Sequence, residues 1–246
     1  MRTLTFLLFF SSIVSCTSQV ESNPPESRDE IFANTPIELD PSAIDTAKLG
    51  INFTPEGTYN NTKQSIRNAV ARGESSGEDL ENYIINQIIP FWYGTPWDFN
   101  GYTAVPNEGV IACGYFVSTT LLHVGLNINR YHLAQQAGLN EAKSLAITDD
   151  NYETIYGIDT LEKALKDRYT DGLYFVGLDS HVGYLYIKHG EYYFIHSNYI
   201  EDKVMIEKAM TAAAFQSTIY VIANITTNKE LLKKWRNGEV VTIIRS

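Results

Sequence analysis

Cys113, His181 and His196 are residues whose types and order suit thiol chemistry, a nucleophile followed along the chain by two imidazoles. A thiol attacks at neutral pH when a base takes its proton, and the free N–H groups and dipole of a helix N-terminus favour the thiolate. Cys113, Phe116, Val117, Thr120, Leu121 and Val124 recur at helical spacing, with Gly125 as a natural stop. The pattern therefore predicts a helix that opens on Cys113, with a depressed thiol pKa. A cysteine read by itself is equally a small buried hydrophobe, so the chemistry depends on what is brought to it.

The histidines lie in runs of strand character. Residues 173–178, 181–187, 192–196, 219–225 and 240–244 are rich in Tyr, Phe, Val and Ile. His189-Gly190 makes a two-residue turn that pairs Lys188 with Glu191 and, on unbroken strands, sets His181 opposite Asn198 and Gly183 opposite His196. His181, His196 and Asn198 then share a face, whereas a bulge would move one set to the other side.

The first half of the chain reads as helical. Asp79 is a candidate cap for a helix carrying Leu80, Tyr83, Ile84 and Ile88, with Pro90 as its end. A turn-rich loop over 94–101 leads to the Cys113 helix. A short helix is expected over 131–137, closed by Gly138. Asp159 and Glu162 form a capping box for a helix through Arg168, and further helices are expected over 207–215 and 229–235. Helices first and an antiparallel sheet afterwards define an α+β class.

The N-terminal residues carry different information. Residues 1–16 hold one positive charge and a short apolar run that ends in small residues before Cys16, a stretch too short to span a bilayer. Ile13-Val14-Ser15-Cys16 resembles the bacterial lipobox, which implies acylation of Cys16 and a membrane-anchored lipoprotein of the cell envelope on its periplasmic or outer-membrane face. Residues 17–48 are rich in Ser, Pro, Asn, Glu and Asp and read as a tether, leaving 49–246 as one domain. With Cys16 given to a lipid, Cys113 has no partner for an intramolecular disulfide. The net charge of −10, with 19 Lys and Arg scattered along the chain, argues against nucleic acid as a partner.

Residues 91–199 resemble the NlpC-like cell-wall cysteine peptidases, which have a papain-like fold. The family's Gly-x-Pro-Tyr-x-x-Gly-Gly loop corresponds to Gly94-Thr95-Pro96-Trp97-Asp98-Phe99-Asn100-Gly101, and its Asp-Cys-Ser-Gly nucleophile to Ala112-Cys113-Gly114-Tyr115. Its His-Val-Gly strand corresponds to His181-Val182-Gly183 and its Ile-His motif to Ile195-His196. The resemblance implies Cys113 as nucleophile, His181 as base, His196 as the orienting residue, and a substrate cleft that includes Trp97, Asp98, Tyr115 and Asn198. It also implies hydrolysis of peptide or amide bonds in peptidoglycan without a cofactor. Trp97 replaces the family tyrosine that helps hold the oxyanion, and an indole offers only an N–H donor.

Two other functions use the same residues. A thiol acyltransferase would pass the acyl group from the thioester to a lipid or amine, and a non-catalytic lipoprotein would bind wall peptides or a partner. A zinc site from Asp179, His181 and His196 lacks the short paired spacing of zinc motifs. Of the other histidines, His123 lies about three turns along the Cys113 helix and reads as packing or surface, His132 stands apart, and His189 belongs to the turn.

Overall fold

The computed structural model describes residues 44, 50–73 and 75–245, all within a compact unit covering 37–246. Cys16, the leader and most of the 17–48 tether lie outside the described residues. Among the described residues no helix is long and apolar enough to cross a membrane.

Among the described residues the first helices are α1 (Tyr59–Ala71) and α2 (Gly77–Asn82), the latter running through a π-helical stretch, Tyr83–Ile88, into α3 (Ile89–Trp92). Asp79 is not the cap of α2. Ser76 is, and it forms a reciprocal capping box with Asp79. Nor does Pro90 end the helical run. The wider π turns accommodate a residue that lacks an N–H and whose ring would crowd the carbonyl four residues back in a regular α-helix.

Next come α4 (Cys113–His123), α5 (Arg130–Ala134) and α6 (Gly138–Ala146). Gly138 thus begins a helix instead of closing one, and α6 is an element the sequence pattern did not suggest. The sheet contains β1 (Tyr152–Tyr156), β2 (Gly172–Gly177), β3 (Val182–Lys188), β4 (Glu191–Asn198), β5 (Lys203–Lys208) and β6 (Ile219–Asn224). Its order is β1-β6-β2-β3-β4-β5, with every pairing antiparallel. Between β1 and β2 lies α7 (Ile158–Arg168), and α8 (Lys229–Asn237) follows β6.

The α+β expectation is met, with corrections to particular elements. The helix expected over 207–215 is the end of β5 followed by two 3-10 turns, because Val204 and Ile206 alternate inward along the edge of β4. Residues 240–244 do not form a strand. Val240 makes one bridge to Asn127, while the N–H groups of Val241 and Ile244 bond the Asn127 carbonyl and the Ser144 hydroxyl. The Asp159–Glu162 box is absent; α7 starts from Gly157 at φ 81°, although Leu161, Ala164 and Leu165 are buried as expected.

Both faces of the sheet are covered. Tyr184, Ile195, Val204 and Val221 point to one core, which they share with Phe116, Val117 and Leu121 of α4. Val176, Leu185, Phe194 and Ile222 point to the other, with Leu161 and Leu165 of α7 and Phe215. Strands buried on both sides read as nearly continuous apolar runs, which explains why β2 to β4 were visible in the sequence. One end of the β3–β4 hairpin and the first turn of α4 meet at a cleft.

Candidate active site

The position of Cys113 follows from how α4 is entered. Ala112 is extended, at φ −82° and ψ 162°, and its carbonyl accepts the first helical hydrogen bond from Phe116. Among the described residues no side chain caps this terminus, and the N–H groups of Cys113 and Gly114 bear on the Cys113 sulfur. The preceding residues are fixed by backbone bonds from Ile111 to Pro96 and from Ala112 to Gly101, both 2.9 Å. Ser197 on β4 donates to the Ile111 carbonyl at 2.7 Å, and further along α4 Tyr184 of β3 bonds Thr120 at 2.8 Å and the Val117 carbonyl at 3.1 Å. These buried polar ties set the helix against β4, which carries His196, and β3, which His181 directly precedes.

Where β3 and β4 pair, the register is the expected one, but His181 precedes β3 and the ladder stops short of the expected pair of His181 with Asn198. His189-Gly190 forms the turn, Lys188 pairs with Glu191, and the ladder continues to Tyr184 opposite Ile195. Gly183 lies against His196 so closely that a Cβ there would meet the His196 Cβ at 2.9 Å and Phe194 Cε2 at 2.6 Å. Only glycine permits this approach of the two strands.

His181 and His196 are brought together as expected. His181 Nε2 lies 2.7 Å from His196 Nδ1, and His196 Nε2 lies 2.8 Å from Glu207 Oε1. Glu207 sits on β5, two residues beyond Met205, the direct partner of His196, and so shares its face. The chain of bonds fixes both tautomers. An ionised Glu207 accepts from His196 Nε2–H, leaving His196 Nδ1 to accept from His181 Nε2–H, and His181 Nδ1 is then an unprotonated base. The histidines are boxed by aromatic rings: Phe194 stacks on His196 at 4.0 Å between centroids, and Phe194 and Tyr199 meet His181 edge-on at 5.7 and 5.1 Å.

Burial governs the protonation states. His181 is held well below the usual imidazole value by desolvation and then by His196, and His196 is lowered to about 3 by desolvation. Both rings are neutral at physiological pH. Burial also raises the Glu207 carboxyl. The Cys113 thiol corrects the sequence expectation of a depressed pKa. Burial pushes it up, outweighing the N–H groups of Val182, Gly114 and Cys113 itself that bear on the sulfur, and the buried Glu141 adds to the rise. The resting pair is therefore thiol and neutral imidazole.

Cys113 and His181 line the same cleft, which extends in two arms. One arm, about 550 Å³, has Trp97, Phe99, Tyr115 and Tyr199 as walls. The other, about 400 Å³, runs past Gly138 and Leu178 to Glu141. Trp97 and Tyr115 are thus cleft residues. Asp98, exposed between the cleft residues Trp97 and Phe99, is not itself a wall of the arm and accepts from the Asn100 N–H at 2.8 Å. Asn198 is buried and engaged on all sides: it accepts from the N–H groups of Ile200 and Glu201, and donates to Met205 and to Glu207 Oε1 at 3.3 Å. Asn198 therefore steadies Glu207 behind the histidines instead of lining the cleft.

The sequence reading missed Glu207 and Glu141. Alternation of Lys203-Val204-Met205-Ile206-Glu207 was the signal for the first, since a strand there beside β4 puts an acid on the His196 face. For Glu141 the sequence carried no such signal, because it required α6. The remaining histidines stand apart from the cleft: His123 bonds Tyr59, His132 bonds Arg245, and His189 occupies the left-handed turn at φ 53°. Among the described residues, no cluster of three or more His, Cys, Asp or Glu is arranged to hold a metal ion. The Asp179 carboxylate is bonded to Ser217 and Thr218. No family model matches the chain, and no curated protein or solved structure is significantly similar to it.

Proposed function

We propose that the protein is a cysteine hydrolase of peptide or amide bonds, working through a thioester on Cys113. The observation that carries the reading is the Glu207–His196–His181 relay, which leaves the lone pair of His181 Nδ1 as the base of a cleft containing a thiol at a helix N-terminus. A structural histidine pair needs no such polarity, whereas a general base needs one defined tautomer.

In the reaction, the Cys113 sulfur attacks the substrate carbonyl carbon as its proton passes to His181 Nδ1. The two steps are coupled because both groups rest neutral. The imidazolium that forms is stabilised through His196 by the Glu207 carboxylate. The Cys113 backbone N–H and the Trp97 indole N–H are the oxyanion donors of this mechanism. The tetrahedral intermediate collapses as His181 gives its proton to the leaving amine, and the acyl group remains on sulfur. Water then attacks the thioester, His181 accepts its proton, and the acid product departs as the thiol regains a proton.

The resemblance to the NlpC-like peptidases, together with the lipobox at Cys16, supports peptidoglycan as substrate and the bacterial envelope as location. Incubation of the purified protein with peptidoglycan and muropeptide standards, followed by mass spectrometry, tests the reading. Hydrolysis is expected to yield a new amine and a new carboxylate that together contain one added water, and Cys113→Ala is expected to yield neither. Transfer of the acyl group to an added amine or lipid would favour an acyltransferase. Binding without product, unchanged in Cys113→Ala, would favour a binding module.

A further inference from the structure

The cleft arm that leads away from the aromatic walls ends in a carboxyl for which the mechanism has no use. Glu141, on the first turns of α6, is 1% exposed, and its Oε2 has no hydrogen-bond partner among the described residues. Such a group is costly to bury and is normally paired. Its position depends on close approaches of backbone. Gly138 at the start of α6 lies against Gly177 of β2, where a Cβ on either would fall within about 3.0 Å of the other's Cα. At Gly114, next to the nucleophile, a Cβ would meet the Ala134 carbonyl at 2.8 Å and Glu141 Oε1 at 3.3 Å. Three small residues thus bring this carboxyl beneath the first turn of the nucleophile's helix.

The rest of the arm indicates what would complete it. Leu139, Leu178, Val182 and Val221 provide apolar walls, the exposed Asp179 also lines the arm, and among the described residues neither arm is lined by a lysine or arginine. Apolar walls that end in an unpaired acid complement an alkyl stem that ends in a hydrogen-bond-donating cation. We infer that Glu141 is a specificity-determining residue that accepts a primary alkylammonium group of the substrate, as on a lysine-like side chain. The inference rests on the reading of this cleft as the substrate site. Burial holds the Glu141 carboxyl well above its ordinary range in the empty protein, and an ammonium in the arm would supply the counter-charge that lets it ionise.

The test reads binding, so it does not depend on turnover. Titrate n-butylamine, n-butanol and n-butyrate separately into the protein at pH 7 and constant ionic strength, and follow each by saturation-transfer NMR. Butylamine is expected to bind in wild type about tenfold more tightly than either analogue, and Glu141→Gln to lose that advantage. Leu139→Lys, which leaves the buried carboxyl in place and tethers an ammonium at the mouth of the arm, is expected to lose it as well, and it serves as the reading if Glu141→Gln does not fold. Equal binding of the three compounds in wild type, or an advantage that persists in both variants, would overturn the inference. A wild-type protein that binds butylamine through Glu141 but cleaves nothing would overturn the hydrolase reading alone.

Discussion

The protein contains two buried histidine networks whose chemistry begins alike and ends differently. In the first, Trp92 Nε1–H donates to the Tyr59 hydroxyl at 2.7 Å, and that hydroxyl lies 2.7 Å from His123 Nδ1. In the second, Glu207, His196 and His181 are linked at 2.8 and 2.7 Å. Burial lowers His123 and His196 alike, each to about 3, so neither burial nor pKa separates them. What separates them is where each chain terminates. The His123 network is anchored by an indole in a core of Tyr59, Trp92 and Phe116, with Lys63, Arg67 and Arg130 opposing any positive charge on the ring. The other network is anchored by a carboxylate and ends at a cleft containing a thiol, so it can receive a proton and stabilise the cation that results. A buried histidine becomes a base when its network supplies a counter-charge at one end and a proton donor at the other.

Deleting either end of the proposed Cys113–His181 pair is the most severe way to challenge this contrast. Cys113→Ala and His181→Ala are each expected to lower kcat by about 10³-fold or more, with the double variant little worse than either, because the two act as one unit. Independent, multiplying losses measured in single-turnover assays would break the relay apart. His123→Gln is expected to leave kcat within about twofold, since that network does not reach the cleft.

The role of Glu207 gives the next largest effect. Glu207→Leu removes the acceptor that fixes the His196 tautomer, and a loss of about 10²-fold in kcat with little change in KM is expected. Glu207→Gln should recover much of this, because an amide oxygen in the same place accepts from His196 Nε2–H and from Asn198. His196→Ala should resemble Glu207→Leu, and combining them should add little. A rise in KM with kcat unchanged would identify Glu207 as a substrate contact instead.

Thiol reactivity then sharpens the assignment of the resting state. Because burial raises the Cys113 pKa, the thiolate fraction in the empty protein is expected to grow about tenfold per pH unit between pH 6 and 8. The rate of iodoacetamide labelling, measured by mass spectrometry, should follow it. A rate independent of pH across that range would mean a preformed thiolate–imidazolium pair and would remove the coupled proton transfer from the mechanism.

The parts of this site differ in how far the chain announced them. Cys113 and the β3–β4 hairpin were legible because both depend on local rules: helical spacing, a two-residue turn and alternation along a strand. The register put His196 near His181, although His181 itself precedes β3. Glu207 was hidden because residues 207–215 contain alanines and read as helix, while the strand exists through its pairing with β4. Glu141 was hidden more deeply, since its position depends on Gly138 meeting Gly177 across 39 residues of sequence, a tertiary contact without local pattern. The thiol pKa was misjudged because a helix N-terminus is visible in sequence and the degree of burial is not. Pro90 shows the same limit, as a π-helical stretch accommodated a residue whose local rule predicts a break.

The smallest expected effect separates the networks by stability. His123 and His196 ordinarily titrate near 6.5 and are held near 3 in the fold, so the unfolded chain takes up protons that the folded protein refuses. The stability each contributes is present above pH 6.5 and is lost as pH falls through the window from 6.5 towards 3, at roughly 1.4 kcal/mol per unit for each ring. The raised carboxyls of Glu141 and Glu207 act in the opposite sense, gaining stability as pH falls from their folded values towards 4.5. A difference between variants isolates one ring from these. His123→Gln keeps an acceptor for the Tyr59 hydroxyl but cannot titrate, so its Tm should fall less than that of wild type between pH 7.5 and 5.5, by roughly 2–4 °C. Identical falls in the two proteins would mean that His123 accepts a proton without cost, and the contrast between the networks would then lie in protonation as well as in where they end.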